Sequence, residues 1–257
     1  MIQSYFLHFS LHLQMYHIKN LSDMRLLLIS NSTNPGEAYL EYPKHQISEF
    51  LGDKTVNALF IPYAAVTFSF DEYEEKVNSR FAEIGHHVTS IHRYINPLEA
   101  VGNADAIVVG GGNTWQLVKM LQEKGLMKAI RKKVKKGTPY IGWSAGSNIA
   151  CPTLRTTNDM PIVEPLKFKT LKLVPFQINP HYLDENPANH GGETREMRIN
   201  EFIEVNRETY VVGLREGTML LLEDGDLVLI GNRKARIFRY GEEPRELSSE
   251  DDFTFLL

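Results

Sequence analysis

A chain of 257 residues with 42% hydrophobic and 23% charged residues is long enough to bury a substantial core, and its composition excludes a disordered or collagen-like protein. Its net charge of -4 gives no electrostatic reason to expect nucleic acid or an anionic membrane as partner. A single cysteine, Cys151, excludes an internal disulfide and a cysteine-rich zinc site, and points to a reducing, cytoplasmic setting.

Residues 1–23 carry apolar side chains and three histidines, His8, His12 and His17, but no basic start, continuous apolar core or small-residue cleavage site. The segment therefore reads as a poor signal peptide and is too interrupted for a membrane span, and histidines without a carboxylate partner give no reason to expect a metal. A natural first strand begins at Met24. The chain is accordingly expected to divide into an arm, 1–23, outside the fold and removable without loss, and a single α/β domain, 24–257.

From Met24 strands and helices alternate. Residues 24–31 form an apolar run without period-two alternation, as expected of a strand covered on both faces. Asn31 to Gly36 breaks the run, and a helical stretch reaches about Leu51. Further strands are expected at Val56–Tyr63, His87–His92 and Ala106–Val109, with a helix from Asp71 to about Ile84 between the first two. A charged helix then runs to Lys136. Its basic run, Lys128 to Lys136, keeps apolar residues at helical spacing and so reads as a solvated helix face. A fifth strand leads into Gly142-Trp143-Ser144-Ala145-Gly146. This alternation predicts a doubly wound, mostly parallel sheet with helices on both faces, whose working residues gather beyond the carboxyl ends of the strands.

After residue 150 the pattern changes. Thr153 to Pro161 is a polar excursion, Leu171 to His181 reads as a strand ending in a histidine, and Glu193 to Val205 is a helix. Short apolar runs at 210–214, 219–222, 227–230 and 235–238, punctuated by Asp224-Gly225 and Gly241, suggest an antiparallel extension completing the sheet.

Strand, sharp turn and helix around Gly-x-Ser-x-Gly is the layout of a nucleophile elbow, which makes Ser144 a candidate nucleophile. A hydroxyl is barely ionised at neutral pH and needs a base. His181, at the carboxyl end of a strand and preceded by Asn179-Pro180, is expected on the same sheet edge as Ser144, with His190 second. Asp159, Asp184 and Glu193 could each orient the imidazole, and spacing does not choose among them. Gly110-Gly111-Gly112-Asn113-Thr114 lacks both the P-loop ending and the dinucleotide spacing, so an oxyanion site fits it better than phosphate binding.

Four of these stretches, Gly110 to Thr114, Gly142 to Gly146, Thr156 to Pro161 and Gln177 to His181, together with Gly192 to Glu196, resemble the peptidase E family of bacterial aspartyl dipeptidases. The resemblance runs from Met24 to about Gly241. It implies a fold similar to class I glutamine amidotransferases, a triad of Ser144, His181 and Asp159, and an oxyanion hole formed by the Gly112 and Ala145 N–H groups. It implies cleavage of dipeptides with an unblocked N-terminal aspartate through an acyl-enzyme, with no metal or cofactor, by a monomer or weak homodimer. A substrate aspartate requires a fixed cation, for which Arg155 is the nearest arginine in sequence, and the free ammonium requires an acid, for which Glu216 is a candidate. The rival readings are a cyanophycinase-like hydrolase of aspartyl-arginine material and a non-catalytic binding protein on the same fold.

Overall fold

The computed structural model describes residues 23–185 and 191–257. The expectations for residues 1–22 and for His190 therefore lie outside the described residues. The first strand, β1 (Leu26–Ile29), is wholly buried, and its side chains alternate between two cores. Leu26 and Leu28 join the cluster on one face, and Leu27 and Ile29 the cluster on the other. This is what a strand covered on both sides must do, because successive side chains leave opposite faces of the pleat.

Helix α1 (Lys44–Leu51) follows a long stretch of turns, so it is shorter than the sequence suggests. Strand β2 (Asn57–Ile61) leads to α2 (Phe70–Ala82), whose start is set by a capping box between Ser69 and Glu72. After β3 (His87–Ser90) comes a helix that the sequence pattern did not reveal, α3 (Pro97–Asn103), with Asn96 as its N-cap and Pro97 in its first turn. Strand β4 (Ile107–Val109) precedes the stretch expected to be one charged helix. It is two helices, α4 (Thr114–Glu123) and α5 (Leu126–Val134), broken at Gly125. On α5 the apolar Leu126, Ile130 and Val134 are buried, and the lysines face away from them. Strand β5 (Tyr140–Trp143) then runs into the four-residue α6 (Ala145–Asn148).

Strands β3, β2, β4, β5 and β1 lie side by side in that order and pair in parallel. Two later strands, β8 (Met219–Glu223) and β9 (Asp226–Ile230), extend this sheet antiparallel beyond β1 to seven strands. The predicted class, a mostly parallel doubly wound sheet with an antiparallel C-terminal extension, is the observed one.

The extension does not, however, complete one sheet. Strand β6 (Gln177–Tyr182) and β7 (Val211–Arg215) pair with each other in parallel. They form a separate four-stranded sheet with β10 (Ala235–Phe238) and β11 (Arg245–Leu247), in the order β11-β10-β7-β6. A helix, α7 (Arg195–Val205), lies in the β6-to-β7 crossover, which is why these two strands can be parallel. His181 thus belongs to a different sheet from Ser144, against expectation. The tail closes on the main core, where Phe253 and Leu256 are buried. Among the described residues no helix is long and apolar enough to cross a membrane.

Candidate active site

The turn after β5 is as tight as its glycines suggest. A Cβ at Gly146 would lie 2.2 Å from the Val109 carbonyl oxygen, and one at Gly142 would lie 2.6 Å from the Gly146 backbone. Only bare backbone lets the helix after the serine sit against β4 and β5. Ser144 itself has φ 52° and ψ -110°, a conformation that a non-glycine residue holds only when its surroundings impose it. Those surroundings are hydrogen bonds. The Ser144 N–H donates to the Ile29 carbonyl at 3.1 Å, and the Ser147 hydroxyl lies 2.7 Å from both the Ile29 and Gly142 carbonyls.

His181 comes to this serine from the other sheet. Its Nε2 lies 3.0 Å from Ser144 Oγ, and its Nδ1 lies 2.7 Å from Glu216 Oε1. With the ring proton on Nδ1, the imidazole donates to the carboxylate and accepts from the serine hydroxyl, as a base for Ser144 must. The carboxylate within hydrogen-bond distance of Nδ1 is Glu216, in the place where Asp159 was expected. Glu216 directly follows β7, the parallel neighbour of the strand that carries His181, so both side chains emerge at one end of the second sheet.

Asp159 is engaged elsewhere. Its Oδ2 accepts from the Thr114 N–H at 2.7 Å, the Thr114 hydroxyl at 2.5 Å and the Thr157 hydroxyl at 3.0 Å. This holds it at the N-terminus of α4, where the helix dipole favours a carboxylate, two residues beyond Gly112. Of the other orienting candidates, Asp184 is paired with Arg215, which keeps its carboxyl below the usual range, and Glu193 lies 3.5 Å from Arg198.

The expected oxyanion loop is adjacent to the elbow. A Cβ at Gly111 would lie 3.1 Å from the Ser144 Cβ. Gly112 has φ 132°, and a Cβ there would lie 2.3 Å from the Ala64 carbonyl oxygen, so glycine is required on both counts. Gly111, Gly112, Ser144 and His181 line one cavity of about 370 Å³, with Tyr39, Tyr73 and Trp143 as its aromatic wall. The wall is cross-linked: the Tyr73 hydroxyl donates to the Gly111 carbonyl at 3.0 Å, and the Trp143 ring N–H lies 3.2 Å from the Tyr73 oxygen. Burial pushes the Tyr73 phenol up to about 12, so it stays protonated and able to donate at neutral pH. A larger hollow of about 610 Å³, bordered by Tyr94, Ile95 and Asn96, lies elsewhere and contains none of these groups.

Arg155 is not brought to this cavity. It is exposed, with its guanidinium 5.2 Å from the centre of the Phe168 ring. Two other cations were not expected from the sequence. Lys76 lines the cavity with its ammonium 4.0 Å from the Tyr39 ring centre. Arg195, the first residue of α7, is half-buried and makes no direct ion pair among the described residues. Burial and the neighbouring Arg198 both weigh against its charge, and Asp159 favours it. The available signal was its place just after Thr194, an N-cap residue in one of the family-like stretches.

Cys151 takes no part in the site. It is fully buried, accepts the Ile178 N–H at 3.1 Å, and burial pushes its thiol well above the usual range. The native protein is expected to leave a water-soluble disulfide reagent unreacted until it is unfolded in denaturant, as a thiol titration with and without urea would show. Fast reaction of the native protein would mean that the region behind the elbow opens.

Fold and site together define a class: a serine hydrolase of mixed α/β architecture whose elbow serine faces a histidine hydrogen-bonded to a carboxylate. The model of Peptidase family S51 matches residues 26–230, and the chain belongs to that family. Among its relatives, Peptidase E of Nostoc sp. is 53% identical over 233 residues, covering 91% of this chain and 96% of the relative. Peptidase E of Salmonella newport is 48% identical over 230 residues, covering 90% and 100%. A solved peptidase from an acI-B1 Actinobacterium superposes with a TM-score of 0.65 over 90% of this chain and 98% of its own, at 17% identity, and so bears on the fold alone.

Proposed function

We propose that this protein is a serine dipeptidase that hydrolyses dipeptides with an unblocked N-terminal aspartate. The observation that carries this reading is the continuous path from Ser144 Oγ through the His181 ring to Glu216, with contacts of 3.0 and 2.7 Å. His181 takes the hydroxyl proton on Nε2 as Ser144 attacks the peptide carbonyl carbon. The developing oxyanion is met by the Gly112 and Ala145 N–H groups, the second at the start of α6. His181 returns the proton to the leaving amine as the C–N bond breaks, and water then hydrolyses the acyl-enzyme by the same route in reverse. No metal or cofactor is needed for these steps.

Recognition of the substrate needs a cation for the side-chain carboxylate and an anion for the ammonium. Glu216 is committed to His181, so Asp159, beside the oxyanion loop with only its Oδ2 taken up among the described residues, by Thr114 and Thr157, is the better acid for the ammonium. Arg195, whose charge Asp159 favours and which has no direct ion-pair partner among the described residues, is the better cation. A cytoplasmic location fits the single free cysteine, and a cavity of this size fits a small peptide.

The test is kcat/KM on matched Asp-X, Glu-X and Asn-X dipeptides. The wild type should favour Asp-X strongly over Asn-X, because a site built for a charged, hydrogen-bonded group rejects the uncharged isostere by roughly 10⁴-fold or more. Arg195→Met should erase most of that preference by lowering activity on Asp-X, whereas Arg155→Met should leave the ratio unchanged. A collapsed ratio in Arg155→Met with an intact one in Arg195→Met would return the role to Arg155. Cleavage of Asp-Leu without depolymerisation of aspartyl-arginine polymer excludes the cyanophycinase alternative, and labelling of Ser144 by an organophosphonate excludes a non-catalytic binder.

A further inference from the structure

We infer that Ser30 is a positioning residue for His181: its buried hydroxyl holds the irregular strand end that carries the imidazole, and thereby keeps Nε2 within reach of Ser144. The inference rests on the reading of Ser144 and His181 as the reacting pair. In the parallel ladder of β6 and β7, Pro180 stands opposite Leu214 and Tyr182 opposite Arg215, so His181 is an extra residue in the register. Its φ of 53° is one that a histidine does not adopt without restraint. An extra residue also loses its place in the ladder, and its N–H must find another acceptor.

Ser30 supplies that acceptor. The His181 N–H donates to Ser30 Oγ at 3.0 Å, and the Ser30 hydroxyl donates to the Leu214 carbonyl at 2.7 Å. One side chain from the end of β1 therefore grips both strands of the second sheet at the point where the ladder is broken. Ser30 is fully buried, and its own N–H is tied to the Thr218 carbonyl at 3.0 Å. Its neighbours act in the same way on the other two segments. The Ile29 carbonyl accepts the Ser144 N–H, and Asn31 Oδ1 accepts the N–H of Gly217, the residue after Glu216, at 2.9 Å. Three successive residues thus register the segments bearing Ser144, His181 and Glu216 against one another. Ser30 is the member of the three whose side chain touches the histidine's backbone.

In Ser30→Ala both the His181 N–H and the Leu214 carbonyl lose their partner, and the positive φ of His181 loses its restraint. The expected result is a folded enzyme whose kcat falls by about 100-fold, the scale of an ångström-sized misplacement, with KM changed by less than about threefold. The Nδ1 proton resonance of His181, observed with ¹⁵N-labelled histidine, should weaken or vanish in the variant. A purely structural role would lower the melting temperature and leave kcat and that resonance of the folded protein as they are, which would overturn the inference. Should the variant not fold, amide exchange in the wild type decides: a strongly protected His181 N–H supports the proposal, and one that exchanges as fast as exposed loops overturns it. Ser144→Ala measured in parallel keeps the two questions apart, since activity surviving there would undo the catalytic reading itself, whatever Ser30→Ala does.

Discussion

Ser144→Ala is expected to lower kcat by roughly four or more decades while leaving the protein folded. The Ser144 hydroxyl is half-buried, and its only side-chain partner among the described residues is His181, so its removal opens no core cavity. The elbow is held by the backbone bond to Ile29 and by the Ser147 hydroxyl, both of which remain in the variant. No neighbouring thiol can take over the attack, since Cys151 is buried and its thiol is pushed up by that burial. Steady-state kinetics on an Asp-X dipeptide, with circular dichroism as the control for folding, would decide the matter. Hydrolysis within two decades of wild type, in a preparation shown to be free of host peptidase, would mean that another group is the nucleophile.

The second large effect concerns two carboxylates, Asp159 and Glu216, whose roles the sequence assigned the other way round. Glu216→Gln should lower kcat by about 10²- to 10⁴-fold with little change in KM, because an amide facing His181 Nδ1 no longer enforces the tautomer that accepts the serine proton. Asp159→Asn should act differently. Its carboxylate bonds to the start of α4 and favours the charge of Arg195, and among the described residues it makes no hydrogen bond with His181. Its loss should raise KM for substrates with a free ammonium by roughly ten- to a hundredfold, the scale of one charge-assisted hydrogen bond, while kcat falls less. If Asp159→Asn instead showed the larger loss in kcat and Glu216→Gln a change confined to KM, the assignment of the two acids would have to be exchanged.

The contrast between these two residues shows where information in the chain ends. Strand, helix and turn at residues 140–148 are local: an apolar run, then glycines at the two positions where a Cβ would strike the backbone, then a helix start. The same holds for the covered strand β1 and for the loop at Gly110 to Thr114, so the parallel sheet, the elbow and the loop beside it were all legible. His181 was legible as well, because a histidine at the end of an apolar strand after Asn179-Pro180 is a local pattern. Its partner was not. Asp159 and Glu216 are chemically alike, and which of them reaches Nδ1 depends on β7 lying parallel to β6 rather than in an antiparallel meander. That pairing is made across the α7 crossover, and nothing in the apolar periodicity of residues 211–215 distinguishes a parallel neighbour from an antiparallel one.

Arginine 155 and arginine 195 repeat the lesson for the cations. Nearness in sequence favoured Arg155, yet the excursion after α6 carries it out to Phe168, while Arg195, at the N-terminus of α7, is the arginine whose charge Asp159 favours. The sequence by itself determined the fold class, the family-like motifs and the pair of Ser144 and His181, because each is written in residues that are neighbours along the chain. Only the tertiary structure decided that a second sheet brings the histidine, that Glu216 meets its Nδ1 and that Ser30 meets its N–H. These are contacts between residues 35 to 184 positions apart, and which side chains meet across such distances is set by packing and strand pairing rather than by any local pattern.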